Sequence, residues 1–187
     1  MLKQVSEDIV FRMIRWRILD IRKQELYTYS MEVILLNGSI FLSMLGISLL
    51  TKTLVHFIFF IAIFCPIRML AGGYHAKTVG QCFLLSNGIF IISILIRYLL
   101  LNFKWESAWV MLGLFFILRM FITGPIERKE INVSEKIYSR HKKRVNVLLL
   151  ICFILLFVMY VLQSRYLNSV VLAIIFAGIL QEIKRRV

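Results

Sequence analysis

Residues 145–162 read VNVLLLICFILLFVMYVL, eighteen residues without one charged side chain. At about 1.5 Å of rise per residue, a helix of that length crosses most of the ~30 Å hydrocarbon core of a bilayer. Residues 33–50, VILLNGSIFLSMLGISLL, match it in length and are also free of charge. Four more apolar runs lie at 54–70, 79–101, 107–123 and 167–180. Pro66 and Arg68 fall in the first of these four, Arg97 in the second and Arg119 in the third. Each arginine sits near a run end, where its stem can lift the charge to the headgroups. The last run, 14 residues, is short for a span.

Composition agrees with that reading. Of 187 residues, 60% are apolar and 18% charged, with a mean hydropathy of +0.82. A soluble domain carries about 45–50% apolar and ~25% charged residues. A water-soluble globule, a disordered tail, a collagen-like fibre and a secreted disulfide scaffold are therefore excluded. The expected fold is an all-α integral membrane protein, one polytopic domain over 1–187. About six transmembrane helices occupy 31–187, preceded by an N-terminal amphipathic interfacial helix in 1–30. In that segment Leu2, Val5, Ile9, Met13, Trp16 and Leu19 recur at helical spacing. Ser6, followed by Glu7 and Asp8, suits a helix start. No cleavable signal peptide is expected, because the first thirty residues lack a continuous apolar stretch.

The net charge of +13 is explained by topology. With the N-terminus inside, segments 1–30, 68–78, 119–144 and 184–187 hold nineteen Lys and Arg; the outer segments hold only Lys52, Arg97, Lys104 and Arg165. The positive-inside rule then puts both termini and loop 68–78 in the cytosol. Anionic lipid accounts for the basic loops, and no nucleic-acid partner is expected, since no basic stretch interleaves with stacking aromatics in a soluble segment. No cofactor and no metal are expected: three scattered histidines and no zinc-protease helix offer no ligand cluster.

One stretch carries chemistry-bearing residues in an unusual density, PIRMLAGGYHAKTVGQC from Pro66 to Cys82. Of the three cysteines, only Cys82 has a histidine seven positions away, His75, and polar neighbours in Lys77, Thr78 and Gln81. A thiolate is a nucleophile, and an imidazole can take the thiol proton. Seven residues of unbroken helix would separate the two by about 10 Å, so a working pair requires the chain to fold back near Thr78–Gly80. Gly72 and Gly73 permit close backbone approach or free N–H donors. On spacing alone, a plain structural hairpin is the stronger reading. Small polar residues within the runs, among them Asn37, Ser39, Ser43, Ser86 and Asn87, are expected to join helices by hydrogen bonds.

The pattern Arg68-x3-Gly72-Gly73-x-His75-Ala76-x5-Cys82 resembles the core motif of the accessory gene regulator B (AgrB) family, membrane cysteine endopeptidases that mature quorum-sensing peptides in Gram-positive bacteria. The likeness covers nearly the whole chain, including the charged N-terminus and a loop reading Gly124-Pro125-Ile126-Glu127-Arg128-Lys129; Glu130-Ile131-Asn132 departs from the Lys-Pro of the pattern. The resemblance implies a His75–Cys82 catalytic dyad with Arg68, Gly72 and Gly73 in supporting roles. It also implies a peptide precursor with an amphipathic body and an acidic tail as partner, docking by Glu127, Arg128 and Lys129. The tail is cut through a Cys82 thioester, and an internal Cys or Ser of the precursor closes a thiolactone or lactone ring. The bilayer and a second copy of the chain are the other expected partners, the protein acting as a homodimer in the cell membrane. A small transporter or exporter and a non-catalytic membrane scaffold are the alternatives.

Overall fold

The computed structural model describes residues 2–72, 78–100, 106–126 and 135–186. Among these residues are seven α-helices: α1 Leu2–Arg15, α2 Gln24–Leu50, α3 Leu54–Leu70, α4 Val79–Leu100, α5 Glu106–Thr123, α6 Glu135–Val161 and α7 Leu167–Arg186. No strand occurs among the described residues. All six apolar runs are helical. Among the described residues four helices are long and apolar enough to cross a membrane, within 21–50, 79–99, 138–161 and 167–186; the apolar helices at 54–70 and 107–123 are shorter. The chain is an all-α membrane protein. Outward faces carry Leu42, Ile58, Leu95, Phe115, Leu150 and Phe157, all exposed, a surface suited to lipid and not to water.

The N-terminal segment differs in detail from its expected form. α1 starts at Leu2, not at Ser6, whose hydroxyl instead donates to the Lys3 carbonyl at 2.7 Å. Its buried residues are Ser6 and Val10, packed toward α2, while Val5 and Trp16 stay exposed. The periodicity identified a helix but aimed its apolar stripe one position off, since a half-polar stripe carries little information about rotation. Arg17 takes a left-handed backbone (φ 57°) that ends α1, and a short 3₁₀ turn at Ile21–Lys23 leads into α2. Residues 24–30 thus form the first turns of α2 and not the interfacial segment.

The largest difference concerns the shortest apolar run. Residues 167–180 continue as helix to Arg186, and α7 is the most enclosed of the spanning helices. It packs against α3, α4, α5 and α6. The apolar run stops at Leu180, but the next residue, Gln181, is buried and the Glu182 carboxylate is paired with Arg119 of α5 at 3.0 Å. Lipid gives helices no hydrophobic reason to associate, so contact depends on close fit. Ala173, Ala177 and Gly178 supply that fit on α7. A Cβ on Gly178 would run into the Phe116 ring of α5, with Cγ only 2.9 Å away.

Two polar ties fix α7 alongside α3, one at each end, so the two helices run parallel. At the first, His56 in the opening turn of α3 bonds Ser169 through Nδ1 at 2.8 Å and Ser93 of α4 through Nε2 at 2.9 Å. His56 stands near the start of α3, stacked on Phe90. At the second, Gln181 of α7 reaches the backbone beyond α3. Elsewhere Ser43 donates to Asn87, joining α2 to α4 at 2.7 Å as expected, whereas Ser39 bonds its own helix at Leu36.

Replacing Gly178 with Ala should destabilise the fold by about 1–3 kcal/mol through overpacking. Gly88→Ala, where nothing lies within 4 Å of the new methyl, should be neutral or slightly stabilising. Thermal unfolding of the two variants in one detergent checks the contrast.

Candidate active site

The site forms where α3 ends and α4 begins. Ala71 caps α3, and Gly72 then takes φ +78°, a left-handed conformation that glycine adopts without a Cβ clash. Space demands glycine there as well: a Cβ would stand 3.3 Å from Cβ of Ile126. Ile126 also donates its backbone N–H to the Ala71 carbonyl at 3.1 Å. The segment after α5 is thereby pinned to the end of α3.

On the other side of the gap, Thr78 starts α4. Its hydroxyl accepts from the Gln81 N–H at 3.3 Å and its carbonyl from the Cys82 N–H at 3.0 Å. Helical geometry begins at Val79, after a bend at Thr78, and Gly80 lies inside the helix. Cys82 therefore sits in the first turn of α4, where the helix dipole favours negative charge. His75 and Gly73 lie outside the described residues, as do Glu127, Arg128 and Lys129.

Arg68 is the residue that organises this corner. The expectation that it lifts its charge to the headgroups is wrong: its side chain turns inward, half-buried, from α3 to α4. One terminal nitrogen, Nη2, donates toward Cys82 Sγ at 3.6 Å, and the other, Nη1, donates to Ser86 Oγ at 2.9 Å. The guanidinium also lies 5.9 Å from the Phe64 ring centroid. A planar fork can serve two acceptors one helical turn apart, which a lysine ammonium does less well. Ser86 meets Arg68 and not Cys82. Donation from a cation onto sulfur strengthens as the sulfur gains negative charge, so the arrangement suits a thiolate nucleophile.

The other two cysteines are placed differently. Cys65 faces outward from α3, and Cys152 is buried in the apolar core beside Leu149 and Leu156. Among the described residues neither is bonded to a polar side chain. Among the described residues no three His, Cys, Asp or Glu side chains converge as a metal site would require.

Three residues not singled out from the sequence brace the site from behind. Gln181, almost wholly buried, donates through Nε2 to the Ala71 carbonyl at 3.3 Å and to the Gly124 carbonyl at 3.0 Å. Arg185 donates to the Thr123 carbonyl at 3.1 Å and also to the Gly124 carbonyl. His141 lies in α6 and bonds the Leu70 carbonyl through Nε2 at 2.8 Å. Gly124 itself has φ +68°. The segments leading into 73–77 and 127–134 are thus held together by α6 and α7. A lone glutamine ending an apolar run was the available signal for Gln181. A cleft of about 1180 Å³ lies elsewhere, between α1 and the start of α2.

A family model described as accessory gene regulator B matches residues 6–181. No curated protein and no solved structure matches the chain.

Gln181→Leu removes the bonds to two buried carbonyls and should cost about 1–3 kcal/mol. It should also quicken amide hydrogen exchange at Ile126, whose acceptor loses its second donor. Unchanged exchange there would show that the brace does not hold the two segments.

Proposed function

The chain belongs to the accessory gene regulator B family, and is on that basis involved in quorum-sensing peptide processing; from this premise we propose that it is a cysteine endopeptidase and cyclase with Cys82 as nucleophile. The observation that carries the reading is the Arg68 fork, bonded to Cys82 Sγ and to Ser86. Among the described residues, Cys82 is the one thiol with a cationic donor within hydrogen-bond reach.

The chemistry runs in two exchanges. His75 takes the Cys82 thiol proton, and the sulfur attacks the carbonyl carbon at the junction between the precursor's body and its acidic tail. The C–N bond breaks, His75 returns the proton to the leaving amine, and a thioester remains on Cys82. An internal Cys or Ser of the precursor gives its proton to His75 and attacks that thioester. The C–S bond to Cys82 breaks as the ring closes to a thiolactone or lactone. No water is consumed. Arg68 is the positioning residue: it holds the sulfur and stabilises its charge both before attack and on departure. Gly72 supplies the tight backbone exit from α3, and Gly73 an N–H near the scissile carbonyl. Glu127, Arg128 and Lys129, in the segment that Ile126 leads into, dock the precursor.

The nineteen-to-four distribution of basic residues supports a cytosolic Cys82 end, where a newly made precursor is available. A homodimer belongs to the same reading. On α2, Gly38 and Gly46 have nothing within 4 Å of an added Cβ, leaving room for a second helix to approach.

Co-expression with the precursor, read by mass spectrometry, tests the assignment. Cys82→Ala and His75→Ala should abolish cleavage, and Cys65→Ala should leave it intact. Arg68→Gln, which removes a charge-assisted bond worth about 1.5–3 kcal/mol, should slow cleavage roughly ten- to hundredfold. Arg68→Lys should recover only part of that loss. Full cleavage by the Cys82→Ala protein would end the proposal.

A further inference from the structure

At the end of the bundle away from Cys82, a cavity of about 250 Å³ is lined by Lys52, Thr53, His56, Arg97, Arg165 and Tyr166, with Leu54 and Val55. The separation is large: Arg97 follows Cys82 on α4 by fifteen residues, roughly 22 Å along the axis. Three cations converge there and no carboxylate lines the wall. Among the described residues neither Lys52, Arg97 nor Arg165 is ion-paired, and Arg97 Nε is fully enclosed without a hydrogen-bond partner. Buried donors ordinarily have acceptors. Like charges gathered without a counter-charge repel one another, so the cluster calls for an anion.

The site is built and not incidental. His56 forms its floor, with both ring nitrogens engaged by Ser93 of α4 and Ser169 of α7. That network fixes α3, α4 and α7 relative to one another. It thereby sets the positions of Lys52 and Thr53 before α3, Arg97 on α4, and Arg165 and Tyr166 before α7. Thr53 is itself held, bonded to Thr51 at 2.8 Å.

Position and size indicate the anion's source. The cavity lies where α2 ends and α3 and α7 begin, the level at which apolar helix faces give way to polar turns. Exposed Leu50, Leu54, Leu99 and Leu162 border this level, an apolar rim that acyl chains can cover. The volume is below the about 300–1,000 Å³ of pockets that enclose whole ligands, and suits a headgroup whose tails remain outside. We propose that Lys52, Arg97 and Arg165 form a binding site for the phosphodiester of an anionic phospholipid. The lipid bridges the starts of α3 and α7 to the last turn of α4, and stabilises the bundle at the end opposite the thiol.

Native mass spectrometry of the full-length protein, titrated with phosphatidylglycerol or with phosphatidylcholine, tests this. The wild-type chain should retain one phosphatidylglycerol in preference to phosphatidylcholine. The Arg97→Gln/Arg165→Gln protein should bind phosphatidylglycerol about tenfold or more weakly. The Arg97→Lys/Arg165→Lys protein, which keeps the charges, should bind clearly better than the Gln pair. Phosphatidylglycerol should raise the unfolding temperature of the wild type and not that of the Gln pair, measured from equal starting points in phosphatidylcholine. If the Gln pair does not fold, Lys52→Gln replaces it, with the same direction expected. Equal retention of the two lipids by the wild type, or wild-type retention by the Gln pair, would overturn the proposal. So would displacement of the lipid by millimolar inorganic phosphate that binds the lipid-free protein, which would assign the cavity to a free anion.

Discussion

The enclosure of α7 is the constraint on which the other helices depend. A helix buried among α3, α4, α5 and α6 in a lipid environment gains nothing from hiding apolar surface, since its neighbours and the acyl chains are alike. Only dense packing and internal hydrogen bonds hold it. Ala173, Ala177 and Gly178 supply the first, with Gly178 flush against Phe116. Ser169 and Gln181 supply the second, tying the two ends of α3 to the two ends of α7. With α3 fixed at both ends, the direction in which its last turn presents Arg68 is fixed as well.

That direction matters because a guanidinium within apolar surroundings is expensive unless partnered. Arg68 is within bonding distance of a thiol and a hydroxyl on α4, and lies near an aromatic ring of its own helix. Weaker screening away from water makes each contact count for more. Cys82 is only 8% exposed, and in the proposed reaction the same enclosure would limit water at an acyl group on sulfur, so that transfer to an internal nucleophile would compete well with hydrolysis. The brace formed by Gln181, Arg185 and His141 places the segment beyond α5 against the end of α3. Both segments that the proposed mechanism uses for substrate therefore leave from one rigid point.

Much of this was legible in the sequence, and the remainder has identifiable physical causes. The apolar runs marked all six helices from α2 to α7, because span length and hydropathy are local properties. The singular standing of Cys82 was legible too, from its polar neighbours and the glycines before it. Arg68 was recognised as part of a motif, but its inward turn was not, since snorkelling and inward pairing start from the same position near a run end. The importance of α7 was hidden: fourteen uncharged residues read as a marginal span, and nothing local reveals that Glu182 is paired across to α5. Gln181 and His141 act on carbonyls 57 to 110 residues away in sequence. Such contacts are tertiary and leave no periodicity to read.

The proposed reaction has Cys82 carry the peptide as a thioester between cleavage and ring closure. Its most direct test is the protein acting on a precursor whose internal nucleophile is replaced by Ala, quenched rapidly and analysed by intact mass. The account predicts an enzyme–peptide adduct that hydroxylamine releases, mapped to Cys82 and missing from Cys82→Ala protein. Cleavage of that precursor with no adduct at any quench time, or an adduct on another residue, would contradict it.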